Sequence, residues 1–124
     1  MTDSVQAPRS TRDVDRDACL TALASQRLAR VVYFEAALPE VELVTYQLVD
    51  SEIVFVVPPE SGLATVAEGT VLAAHLDSVD AVTGEGLSVL VTGKARVVSE
   101  PTDRTRTIGI PLHRVRGHRV AVDR

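Results

Sequence analysis

The chain has 124 residues (13.3 kDa), enough for one domain and little more. Hydrophobic residues make up 45% and charged residues 24%, which excludes wholesale disorder and collagen-like repeats. The net charge of −4 argues against a dedicated nucleic-acid binder.

Residues 1–12 contain Ser4, Pro8, Ser10 and Thr11 without a hydrophobic period, and are expected as a flexible arm; residues 13–124 then form the domain. Asp13 or Asp15 suits the N-cap of a helix running to about Gln26, with Leu20 and Leu23 on its buried side. Strands follow at Leu28–Phe34 and Val41–Val49, and Asp50-Ser51 turns the chain into a third at Glu52–Val57. Pro58-Pro59 ends that ladder, and a short helical turn spans Leu63–Ala67, stopped by Gly69. A fourth strand is expected at Thr70–Leu76, a polar loop at Asp77–Glu85, and a long fifth strand at Gly86–Ser99, bulged or bent at Gly93. Pro101 opens a brief helical stretch around Thr102–Thr107, and His113–Val122 is the sixth strand.

Valine dominates the chain at 21 residues, against four aromatics (Tyr33, Phe34, Tyr46 and Phe55), so the core is aliphatic and sheet-forming. The expected fold is mainly β (α+β): a six-stranded antiparallel split barrel with an N-terminal helix and short connecting helices. The longest fully apolar run, Ile53–Val57, is too short to cross a bilayer, and Met1–Asp17 lacks the apolar centre of a signal peptide. A single cysteine, Cys19, cannot form an internal disulfide, which points to the cytoplasm.

Chemistry-bearing motifs are sparse. His75, His113 and His118 have no Cys or carboxylate neighbours at ligand spacing, so no metal site is expected. Asp77 and Asp80 stand three apart as a conceivable acid–base pair, with solvated loop acids the plainer reading. Six arginines between Arg104 and Arg124 face one acid, Asp123; this segment suits an anion or an acidic partner, or a solvated strand face. Aromatics interleaved with cations, the signature of single-strand binding, are missing from it.

Taken in order, the pieces resemble the pyridoxamine 5'-phosphate oxidase-like family of flavin-binding split barrels. The loop SVDAVTGEG leading into GLSVLVTGKARVV carries most of the likeness, matching G-W-S-V-x-V-x-G-x-A at Gly86, Ser88, Val89, Val91, Gly93 and Ala95. Cys19-Leu20, Leu23, Arg30, Tyr46, Pro59, Ser61 and Gly117-His118-Arg119 support it. The resemblance implies a homodimer holding FMN, or a deazaflavin, in grooves between subunits, where the cofactor carries the hydride and the protein orients it. It places Thr45, Tyr46 and Val57 at the ring, Val56, Val57 and Ser61 at the phosphate, and Leu87-Ser88 as the partner subunit's contribution.

The sequence departs from the family where the cofactor is gripped. Thr45 replaces Asn, Val56-Val57 replace an Arg-Thr pair, Gly62 replaces Lys and Leu87 replaces Trp. Two lost cations and a hydroxyl, at about 1.5–3 kcal/mol each, would weaken phosphate binding on the order of a thousandfold. Either Arg30, Arg96 or the Arg114–Arg119 cluster replaces them, or the chain is a cofactor-free dimeric barrel serving as a binding or regulatory module.

Overall fold

Alternating β-branched residues set most of the backbone. The computed structural model describes residues 10–80, 82–99 and 104–121. In chain order these form β1 (Ser10–Val14), α1 (Arg16–Ser25), β2 (Leu28–Glu35), β3 (Leu38–Val49), β4 (Glu52–Val57), β5 (Val71–Val79), β6 (Glu85–Lys94), β7 (Arg96–Ser99), β8 (Arg106–Pro111) and β9 (Arg114–Ala121). A 3-10 turn, Gly62–Thr65, lies between β4 and β5.

Every pairing is antiparallel, in the order β1-β9-β6-β5-β2-β3-β4-β8-β7. Only Ala95 separates β6 from β7, so the two are one bent strand that joins the end of the sheet back to its middle. The strands from β2 to β8 thereby curl into a barrel, and β9 and β1 extend it beyond β6. At the bend the Ala95 N–H donates to the Thr70 carbonyl (2.7 Å) and its carbonyl accepts from the Gly69 N–H (2.8 Å).

The split-barrel class is as the sequence indicates, but among the described residues the strand count is eight rather than six when β6/β7 is counted once. The additions are β1 and β8. Ser10 to Arg12, expected at the end of a flexible arm, pair with Ala121 to Arg119 of β9, while residues 1–9 lie outside the described residues. The helical stretch expected around Thr102–Thr107 is not helix over its described part: Arg106 and Thr107 open β8, whose Ile108 and Ile110 are fully buried. Residues 101–103 lie outside the described residues. Thr107, Ile108 and Ile110 are β-branched, and burial between β4 and β7 outweighs the start signal of Pro101. The expected polar loop at Asp77–Glu85 also shortens, because β5 runs on to Val79 and β6 begins at Glu85. The strand breaks at Ala95, two residues beyond the expected Gly93. A Cβ at Gly93 would strike the Pro111 carbonyl oxygen, so that glycine permits β8 to approach.

Helix α1 begins at Asp15, whose carboxylate accepts from the Ala18 N–H at 2.9 Å, a cap of about 1 kcal/mol. Cys19 and Leu23, four apart, carry its buried face. The Tyr46 hydroxyl donates to the Leu23 carbonyl at 2.6 Å and fixes the helix to β3. None of the described helices is long and apolar enough to cross a membrane.

Candidate functional site

The outer face of the sheet is unusually apolar. On β2 the inward residues Ala29, Val31 and Tyr33 are buried, yet outward Leu28 and Phe34 are also large and hydrophobic, 53% and 70% exposed. Beside them stand Val41 and Leu43 on β3, Val71 on β5 and Leu90 on β6, all exposed. The register joins them: Val32 opposes Val41 on one side and Ala73 on the other, and Arg30 lies between Leu43 and His75. A sheet with one solvated face alternates apolar with polar residues; strands apolar on both sides are covered on both sides.

Polar groups are set into this face. Arg30, His75 and Asp77 come from β2 and β5, and Ser88 comes from β6, directly opposite Asp77. His75 Nε2 and Ser88 Oγ share a hydrogen bond of 2.9 Å, and Arg30 lies 3.8 Å from the Asp77 carboxylate, an exposed ion pair worth little. Asp77 and Asp80 do not act as a pair, because Asp80 is turned to its own loop and accepts from the Val82 and Thr83 N–H groups. Those bonds hold its carboxyl below the usual range.

The residues singled out by sequence are spread over three regions. Thr45 and Tyr46 line a groove of about 490 Å³ between α1 and β3, with Arg27 and Gln47 beside them. Leu87 lines a second groove of about 480 Å³ on the other flank of α1, together with Arg119. Val56 is exposed on β4, whereas Val57 and Tyr46 are buried, so their side chains belong to the core. Arg27 went unremarked in the sequence, since nothing local places it next to Thr45.

Burial pushes the Tyr46 phenol up to about 12. The folded state therefore holds the phenolic proton more tightly than the unfolded state does. Stability is intact below about pH 10 and falls between about pH 10 and 12, by a few kcal/mol at most. Tyr46→Phe is expected to cost about 1 kcal/mol at neutral pH, through the stranded Leu23 carbonyl, and to remove part of the alkaline loss. Urea melts at neutral pH and at about pH 11 compare the two.

Ser61, the expected phosphate contact, has a different partner. Its hydroxyl lies 2.8 Å from both carboxylate oxygens of Glu42 and accepts from the Leu63 N–H at 3.0 Å. A Cβ at Gly62 would collide with the Tyr33 hydroxyl, so the tyrosine fills the direction a Lys side chain would take. Burial raises the Tyr33 phenol, with Glu42, Glu35 and Glu40 adding to the effect.

Two of the cations that could compensate, Arg96 and Arg106, are engaged, and two more, Arg114 and Arg116, stand on a strand that does not pair with β4. Arg96 makes a two-pronged contact with Glu52, Nε to Oε2 at 2.9 Å and Nη2 to Oε1 at 2.6 Å, and that bond holds the Glu52 carboxyl below its usual range. Arg106, opposite Val57, donates Nη1 to the Val66 carbonyl at 2.6 Å. Arg114 and Arg116 stand on β9 opposite Thr92 and Leu90. At the Ser61 end, a carboxylate and a phenol, with no cation among the described residues bonded to either, do not fit the phosphate of FMN.

Three comparisons bear on this arrangement. An uncharacterized Mycobacterium tuberculosis protein, Rv0080, is 33% identical over 108 residues, covering 83% of this chain and 71% of that protein. A FAD-binding protein from Mycobacterium smegmatis superposes with a TM-score of 0.75 at 19% identity, over 89% of this chain and 98% of its own. A FAD-binding protein from Mesorhizobium loti gives 0.78 at 15% identity, over 90% and 98%. Residues 15–124 match the family described as Pyridoxamine 5'-phosphate oxidase, and the chain belongs to that family.

Proposed function

We propose that the chain is a homodimeric oxidoreductase of the split-barrel family, with a flavin-type cofactor in grooves between the two copies. The apolar outer face of β2, β3, β5 and β6 carries this reading. Leu28, Phe34, Val41, Leu43 and Val71 are each more than half exposed in one copy, and a second copy would bury them. The FAD-binding proteins that share the fold, and the groove along Thr45 and Tyr46, support a flavin. A bound flavin would supply the hydride-carrying chemistry. This chain's share is to fix the ring against β3 and to exclude water with the facing copy. In the dimer, Leu87 and Ser88 would come from the partner. A cytoplasmic setting is part of the proposal, in keeping with the single, buried Cys19.

One observation favours a second reading, a cofactor-free dimeric barrel acting as a binding module. It is the cluster of Tyr33, Glu42 and Ser61, without a bonded cation among the described residues, at the position where the family resemblance sets the phosphate. The visible spectrum of the purified protein separates the two, before and after incubation with excess riboflavin, FMN, FAD or a deazaflavin and desalting. The flavin reading predicts a retained chromophore approaching one per subunit. A protein that stays colourless with all four supports the module.

A further inference from the structure

We infer that the site selects a flavin whose side chain ends in hydroxyl groups rather than in a phosphate. This rests on the flavin reading above and specifies its ligand. Ser61 is the residue the family resemblance sets at the phosphate, and here its hydroxyl is 2.8 Å from both oxygens of the Glu42 carboxylate. A phosphate oxygen bonded to Ser61 would lie within a few ångströms of a like charge in a half-buried place, where repulsion is only partly screened. Glu42 opposes buried Val31 across β2 and β3, and Glu40 opposes Tyr33, so β3 itself sets carboxylates along this rim.

The remaining neighbours point the same way. Tyr33 occupies the space beside Gly62, so a cation could not be restored there without moving the ring. Val57 is buried and offers no donor. The nearest guanidinium in register, Arg106, is turned to the Val66 carbonyl. A carboxylate, a serine and a tyrosine hydroxyl together match a polyol: the carboxylate accepts from hydroxyl groups, and the two hydroxyls donate or accept. Riboflavin presents that chemistry at the end where FMN presents a dianion. A deazaflavin core with an unphosphorylated side chain would satisfy the same rim.

The test is a fluorescence-quenching titration of the full chain with riboflavin and with FMN. Riboflavin is expected to bind at least about tenfold more tightly. Added salt should strengthen FMN binding by screening the repulsion and leave riboflavin unchanged. Glu42→Gln keeps an acceptor for Ser61 and removes the charge, so it should narrow the gap between the two ligands. The wild-type comparison stands even if that variant folds poorly. FMN binding as tightly as riboflavin, or more tightly, overturns the inference alone; loss of that FMN affinity in Arg27→Ala would place the phosphate at the Thr45 groove instead. FAD binding more tightly than riboflavin likewise overturns the inference alone, and binding of none of riboflavin, FMN, FAD and the deazaflavin core removes the flavin reading and this inference with it.

Discussion

Phe55→Ala is expected to lower the unfolding free energy by about 3–5 kcal/mol, the usual cost of deleting a buried phenyl ring. Phe55 is 2% exposed and lies at the centre of β4, between Tyr46 of β3 and Ile108 of β8 in register. Those neighbours are themselves held, Tyr46 by its bond to the Leu23 carbonyl and Ile108 by β7 on its far side. The walls of the cavity therefore cannot collapse inward, which sets the loss toward the upper end of the range. Domains of this size are stable by about 5–15 kcal/mol, so about a fifth or more of the total is at stake. Val82→Ala is the control: Val82 is 77% exposed in the β5–β6 turn, and its loss should stay within about 0.5 kcal/mol. Urea titrations of the two variants, with equal slopes, measure the difference.

Leu43→Asp is expected to dissociate the proposed dimer by about three orders of magnitude. Leu43 projects from β3 opposite Arg30, in the middle of the apolar outer face. In a dimer joined through this face, each copy would bury an added carboxylate whose cross-strand cation, Arg30, already faces Asp77 at 3.8 Å, at several kcal/mol for the two sites together; about 1.4 kcal/mol is tenfold in affinity. The core is untouched, because Leu43 is 59% exposed in the single chain. A variant that is monomeric yet melts like an isolated folded domain is the expected result. An unchanged mass for Leu43→Asp would move the interface elsewhere.

What the sequence reveals depends on how local the cause is. The Asp15 cap and the Asp50-Ser51 turn act within four residues, and both are as expected, the turn with φ of +48° and +61°. β8 is concealed because its reasons are distant. Gly109 looks like a breaker, but it leaves room for the Glu52 carboxylate of β4, which a Cβ there would displace. β1 shows no period in its residues, and its pairing partner, β9, lies more than a hundred residues away. At the site, the replaced positions Val56, Val57 and Gly62 are visible in the residues themselves. What fills their place is not, because Glu42 meets Ser61 across 19 residues and Tyr33 meets Gly62 through folding of β2 against the 3-10 turn.

The mass of the protein in solution by light scattering, with flavin absorbance followed across the same peak after riboflavin is added, tests the shared groove and its cofactor together. A flavin-binding dimer gives a particle of about twice 13.3 kDa that carries the chromophore with it. A monomer, with the apolar face of β2 and β3 open to water and no colour retained, would contradict both the shared groove and the cofactor proposed for it.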